Sequence, residues 1–288
     1  MKDKPSLAII GGSGLYSLSG FEDIQEIHVE TPFGAPSSQI ILGTMEGLRL
    51  AFLSRHGIGH HIMPGEVNYR ANIYALKSLG IKWIVSVCAC GSLREDYAPG
   101  EIVIPDQLFD FTRDRKRTFF GDGIVAHINV ADPFCSQLSK ITYEAVQETG
   151  SVVHEHGTFI TIEGPRFSTK AESNVFRSWG MSLIGMTASP EAFLAREAEM
   201  CYTIMAHVTD FDVWHISEEP VTVDMVIETL NRNTNAAQQA IRNLARKLPV
   251  EENCSCRNAL ANALITEEKR IPMDTRKKLA LLIDKYLK

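Results

Sequence analysis

No apolar run in the sequence approaches the roughly 18–20 residues that a membrane-spanning helix needs. No cleavable leader is expected either, because Met1–Lys4 run straight into the apolar segment "SLAII". The reading is a cytoplasmic protein without a membrane partner. Excess basic charge is also missing. The net charge is −6, which argues against nucleic acid as a partner, since binding a phosphate backbone needs a basic face. The one local basic cluster, "RDRKR" at Arg113–Arg117, reads as a solvated loop. Among the six cysteines, Cys88, Cys90, Cys135, Cys201, Cys254 and Cys256, no CxxC pair or Cys/His group has zinc spacing. No metal site is therefore expected. In an ordinary cytosol the thiols would be reduced. Nor does a linker, low-complexity tract or internal repeat divide the 288 residues. One α/β domain over 1–250, carrying a helical C-terminal extension over 251–288, is the simplest organisation.

Strand and helix signals alternate along the chain, which indicates an α/β fold. Strands are expected at 6–10, 26–30, 39–42, 49–53, 83–88, 101–104, 158–162, 182–186 and 202–208. Several, such as "WIVSVCA" and "YTIMAHV", are almost wholly apolar, as strands buried on both faces are. A central mixed, partly barrel-like sheet flanked by helices follows. Helices are expected at 65–80, 133–150, 168–180 and 189–200, the third capped by Ser168 and the fourth by Ser189 before Pro190. The longest is expected over 222–247, with the stripe Val223, Val226, Ile227, Leu230, Ala237, Ile241 and Leu244. Two short helices, 257–265 and 274–287, would finish the chain.

The first strand ends in "GGSGLY". A dinucleotide-binding fingerprint needs G-x-G-x-x-G between strand and helix, then an acid about 20 residues on. Ser17 stands where the third glycine belongs, the next segment is not helical in pattern, and no Walker lysine is present. What survives is a strand end whose glycines bare backbone N–H groups around one hydroxyl, Ser13, an arrangement suited to a small oxyanion. A second apolar strand ends in "SRHG", where Arg55 offers a planar donor fork beside His56. A third ends in "CACGSL", whose small residues let backbone approach a ligand. Strand ends of this kind in an α/β sheet can converge on one phosphate or carboxylate. A fourth strand ends in "HVTDFDVW", where Asp210 and Asp212 are candidates for acid, base or acceptor of a ligand's N–H groups. Carboxylates two apart on a regular strand share a face, and a bend would change how they converge. No G-x-S-x-G elbow supports a hydrolase triad. The broken fingerprint disfavours an oxidoreductase, and phosphate donors together with paired acids disfavour a non-catalytic binding protein.

Together, "IIGGSGLY", "TPFGAPS", "SRHGIGHHIMPGEVNYRANIYALK", "ACGSL", "PGEIVIPDQLFDFT", "ADPFC", "TIEGPRFSTKAES", "GMTASPEAFLAREAEMCY" and "VTDFDVW" resemble the trimeric purine nucleoside phosphorylase superfamily. The nearer match is its 5′-methylthioadenosine phosphorylase branch. The resemblance covers about residues 7–230 and is loose over the last forty. It implies phosphorolysis of a purine nucleoside, with inorganic phosphate as co-substrate, no cofactor and no metal. It implies phosphate among Ser13, Arg55, His56, Cys88, the Ala89 backbone and Thr187. Phe167 would flank purine and ribose, and Met186 would lie under the sugar. Gly185, Thr209, Asp210 and Asp212 would meet the base, and Val223, Val226 and Ile227 the 5′ group. His127, from the neighbouring subunit of a homotrimer or a hexamer built as a dimer of trimers, would close the pocket, with His60 or His61 at that interface. Aspartate at 210, where branches using 6-oxopurines tend to carry asparagine, favours adenine. A broader purine nucleoside phosphorylase, or a methylthioinosine phosphorylase, is the alternative. Two positions depart from the pattern: Cys88 replaces a frequent threonine, and Gly185 a frequent asparagine. The "CSC" of the tail is similar to heat-adapted archaeal members with disulfides, a resemblance that leaves Cys254–Cys256 and Cys135–Cys201 pairs open beside the favoured reading of free thiols.

Overall fold

A computed structural model describes residues 4–13, 15, 17–215, 223–248 and 254–287, with the side chains of 225–233 excepted. Eleven strands form one mixed sheet: β1 Leu7–Gly11, β2 Glu22–Ile27, β3 Ile40–Met45, β4 Leu48–Ser54, β5 Trp83–Ser92, β6 Ile102–Ile104, β7 Gln107–Phe111, β8 Val153–Glu155, β9 Thr158–Ile162, β10 Leu183–Gly185 and β11 Cys201–Asp210. Six helices accompany them: α1 Tyr69–Ser78, α2 Ser136–Gln147, α3 Lys170–Ser178, α4 Ala188–Glu197, α5 Val223–Lys247 and α6 Met273–Ile283.

Strand β5 is the hub. It runs parallel to β1 and to β11, and its last residues turn to pair antiparallel with β10. That change of partner within one strand curls the sheet. Alternation along β1 decides the layers. Ala8 and Ile10 face a core shared with Ile73 and Leu76 of α1 and Leu194 of α4. Leu7 and Ile9 face the opposite core, with Leu138 of α2 and Ile241 and Leu244 of α5. Both faces of β1, β5 and β11 are thus covered, which explains their continuous apolar sequences.

Two strands were not expected. β7 is partly exposed along its length and β8 is three residues long, so neither carries a clear period-2 apolar pattern. The expected strand 26–30 lies further back, at β2, whose side chains are mostly exposed. Helix α3 is capped by Thr169, not Ser168. The Thr169 hydroxyl accepts from Glu172 N while the Glu172 carboxylate accepts from Thr169 N, a capping box. Ser189 has extended backbone immediately before Pro190, although its hydroxyl makes no cap bond. In place of a helix over 257–265 there is a 3-10 turn, Ser255–Asn258, after which Leu264 forms a β-bridge with Ala126. The tail therefore zips onto 125–127 through backbone bonds, including His127 N to Ala263 O and Ile265 N to Val125 O.

Candidate active site

The parallel strands β1, β4, β5 and β11 end together, and a cleft of about 570 Å³ opens at their carboxyl ends. Ser13, Arg55, His56, Cys88, Ala89, Phe167, Gly185, Met186, Thr187, Thr209, Asp210, Asp212 and Val223 all line it. At one end, Gly12 N donates to Val87 O, and Arg55 N donates to Gly11 O. A Cβ on Gly12 would lie 2.7 Å from Val87 O and 2.8 Å from Arg55 Nη1, so only glycine lets the loop pass so near the guanidinium.

Arg55 is wholly buried. Its Nε donates to Glu191 Oε2 at 2.7 Å and its Nη2 to Glu191 Oε1 at 3.0 Å, a bidentate fork. Nη2 also reaches Ser86 Oγ at 2.5 Å, and Tyr202 OH donates to Glu191 Oε1 at 2.8 Å. Although burial opposes its charge, Glu191 holds Arg55 firmly protonated. Nη1 has no hydrogen-bond partner among the described residues. Glu191 therefore fixes the plane of the fork and leaves one donor group at the Gly12–Ser13 loop, a geometry suited to an oxyanion.

His56 has a different role from Arg55. Its Nδ1 lies 2.8 Å from Ile62 O, an acceptor only, so the proton sits on Nδ1 and Nε2 carries the lone pair. Burial, with Arg55 close by, lowers its pKa to about 4. The ring, stacked on His60 at 4.4 Å, is a neutral acceptor, suited to the hydroxyl of hydrogen phosphate. The Cys88 thiol is pushed up to about 12 by burial and stays a neutral, weak donor.

At the other end of the cleft, β11 is irregular. Its register against β5 shifts between Val208 and Asp210, and Asp212 has a left-handed backbone, φ 51°. The strand alternation that would put Asp210 and Asp212 on one face is thereby broken, and the chain folds back on itself. Asp212 N donates to Asp210 Oδ1 at 2.7 Å, and Thr209 Oγ1 donates to Asp210 Oδ2 at 2.7 Å. Thr209 also stands 3.2 Å from Cys90 O, to which its hydroxyl can turn when Asp210 is protonated. Burial raises Asp210 to about 6 and raises Asp212 as well. Asp212 Oδ2 is buried without a hydrogen-bond partner among the described residues. Gly91 makes room for the pair: a Cβ there would lie 2.9 Å from Asp210 Oδ1 and 3.0 Å from Ile184 Cγ2.

Between the two ends lie Phe167, half exposed, and Met186, whose sulfur packs over Gly164. Gly185 is dictated by packing, since a Cβ there would meet Phe159 Cζ at 2.5 Å. Val223, exposed, stands at the cleft mouth. The side chains of Val226 and Ile227 lie outside the described residues. His60 and His61 line this chain's own cleft. His127 does not: it lines a separate cavity of about 710 Å³ beside the tail.

Three contributors escaped the sequence reading. One is Glu191, and another is Gly91. The third is Arg115, in the cluster expected to be solvated. It is buried and donates to Met186 O at 2.6 Å, Ser189 O at 2.8 Å, Glu163 O at 2.7 Å and Glu163 Oε1 at 3.0 Å. It clamps the segment that carries Thr187. Nothing in the sequence sets Arg115 apart from Arg113 and Arg117 beside it. All six cysteines are free thiols, as the favoured reading of the sequence has them, and neither disulfide left open by the resemblance is formed; the convergence of Cys135, Cys201, Cys254 and Cys256 into one cluster was not expected.

Comparison with known proteins places these features in context. Residues 6–246 match the phosphorylase superfamily profile. The S-methyl-5′-thioadenosine phosphorylase of Geobacter sulfurreducens is 52% identical over 282 residues, covering 98% of this chain and 99% of that protein. The crystal structure of a methylthioadenosine phosphorylase sourced from an antarctic soil metagenomic library superposes with a TM-score of 0.93 at 45% identity, over 98% of this chain and 99% of that one. A mutant adenosine/methylthioadenosine phosphorylase of Schistosoma mansoni, in complex with methylthioadenosine, superposes with a TM-score of 0.82 at 34% identity over 98% of each chain.

Proposed function

The chain belongs to the phosphorylase superfamily, and from that premise we propose that it cleaves 5′-methylthioadenosine with inorganic phosphate, giving adenine and 5-methylthioribose 1-phosphate. The observation that carries this reading is the pairing of two unlike ends in one cleft: a fixed guanidinium donor at Gly12–Ser13, and two buried carboxyls at the end of β11.

The chemistry fits those ends. Phosphate is held by Arg55 Nη1, Ser13, the Ala89 backbone and Thr187, near the sugar carbon it attacks. As its oxygen bonds to C1′, the C1′–N9 bond breaks and its electron pair passes to the purine. Asp210, buried enough to carry a proton near pH 6, delivers that proton to the departing base. The neutral Nε2 of His56 accepts a hydrogen bond from the phosphate hydroxyl and orients it; the proton that this hydroxyl releases to solvent once the sugar ester has formed replaces the one Asp210 delivered, so the turnover is proton-neutral. While one oxygen of the Asp210 carboxyl carries the proton for the base, its other oxygen accepts from the 6-amino group of adenine and opposes a 6-carbonyl. The reaction draws on no cofactor.

The same proposal includes a homo-oligomer, trimer or hexamer. An exposed apolar patch of Phe109, Phe111, Val175 and Trp179 supports self-association, and His127, exposed and away from its own cleft, is free to reach a neighbour's. Free thiols suit the cytoplasm. A broader purine nucleoside phosphorylase is the second reading, favoured by the likeness to the Schistosoma mansoni enzyme named for adenosine as well as methylthioadenosine. Incubation with methylthioadenosine, with and without phosphate, tests the proposal. Adenine release only with phosphate is expected, and its absence overturns the reading. Equal turnover of inosine moves the assignment to the broader enzyme.

A further inference from the structure

The cluster of Cys135, Cys201, Cys254 and Cys256 lies outside the cleft and plays no part in the proposed reaction. Their four sulfur atoms all lie within 4.8 Å of one another, and three of the four residues are buried. They come from three separate segments. Cys135 is the N-cap of α2 and Cys201 the first residue of β11, while Cys254 and Cys256 flank Ser255 where the tail begins.

We propose that these four cysteines form a tetrahedral thiolate site for a thiophilic divalent cation, zinc foremost, which staples the start of the C-terminal extension to α2 and β11. A tetrahedron of sulfurs at about 2.3 Å from zinc has edges of about 3.8 Å. The Cys135–Cys254 separation is 3.4 Å and the widest permitted edge is 4.8 Å, so a cation reaches all four with small adjustments. Disulfides would instead pull the sulfurs into two pairs at about 2.0 Å, and would need an oxidant.

The surroundings suit thiolates. Cys256 N donates to Cys254 Sγ at 3.4 Å, and the N-terminus of α2 favours negative charge at Cys135. Arg196 acts electrostatically on Cys256 and offsets the net negative charge of four thiolates around a divalent ion. The half-buried Cys254 and the adjoining 710 Å³ cavity give the ion a way in.

The test is elemental analysis of the full chain, purified without chelator from cells grown with added zinc, together with thiol counting after denaturation. One equivalent of zinc or iron per chain, and six titratable thiols once it is removed, are expected. Cobalt(II) in its place should give the sulfur-to-metal charge-transfer absorption of a tetrahedral thiolate site. Cys254→Ser with Cys256→Ser should lower metal content at least tenfold, and Ser255→Ala should leave it unchanged. Two free thiols and no metal would mean two disulfides and would overturn the proposal. Six free thiols, with no uptake when zinc alone is added, would overturn it equally.

Discussion

The two ends of β11 handle buried polar groups in opposite ways. At its carboxyl end, Asp210 and Asp212 sit among few partners, and burial raises both. At its amino end, Cys201 is surrounded by three other thiols that satisfy one another. The carboxyl end keeps unspent hydrogen-bonding capacity, which is what a ligand needs. The amino end uses its capacity internally, which is what a fastening needs. One strand thus separates chemistry from anchorage by its length of ten residues.

The largest test of this division lies beside the carboxyl end. Arg55→Ala should lower kcat/KM for phosphate by about 10³-fold or more. It should also cost about 3–5 kcal/mol of stability, because Glu191 is left buried without its counter-ion, with only the Tyr202 hydroxyl still donating to it. Steady-state kinetics and denaturant unfolding check both; unchanged phosphate dependence would remove Arg55 from the site. Gly91→Ala comes next. Its methyl would displace Asp210, and about a 10²-fold loss of turnover is expected, with Asp210 still present in the chain. Near-normal turnover would show that the room left by Gly91 does not matter.

Asp210→Asn sharpens the comparison through pH. The folded-state value, about 6, lies above the ordinary aspartate value of 3.8 because the carboxyl is buried, so its contribution to stability is fully present below about 3.8 and is lost as pH rises toward 6. The difference is worth at most about 3 kcal/mol. The asparagine variant should therefore unfold at higher temperature than the parent at pH 7, and the gap should close near pH 4. A gap independent of pH would contradict the assignment of the raised value to Asp210. The variant should also lose more activity on adenine nucleosides than on 6-oxo ones. The smallest activity effect belongs to the other end. Stripping the metal with a chelator should lower Tm by several degrees yet leave initial rates within about twofold, since the cysteines touch no part of the cleft; a parallel collapse of activity would erase the contrast.

The Ser13–Arg55 end of the cleft was legible in the sequence because each element there is local: a strand, a glycine, and then the donor. "GGSG" and "SRHG" carry their own geometry. The paired acids were legible as residues, but the register shift and left-handed turn that aim them were not, because nothing in "TDFD" marks a bulge. Glu191 and Arg115 were invisible for another reason. Each acts through partners far along the chain, and a buried ion pair leaves no periodic trace. The cysteine cluster failed the spacing test because spacing rules assume ligands on one or two short segments, whereas here the fold brings three together. Strands β7 and β8 were missed because exposure blurs the alternation that marks a half-buried strand.

Glu199 stands two residues before β11 and sits buried with a left-handed backbone. Its carboxylate accepts from Leu260 N at 3.0 Å, and from Tyr286 and Lys285 in the turn after α6. A premature stop codon ahead of Lys285 would delete both of those side chains and leave the carboxylate with only its backbone donor. A nonsense change more than eighty residues downstream would thus be felt at the root of the strand that carries Cys201 and Asp210.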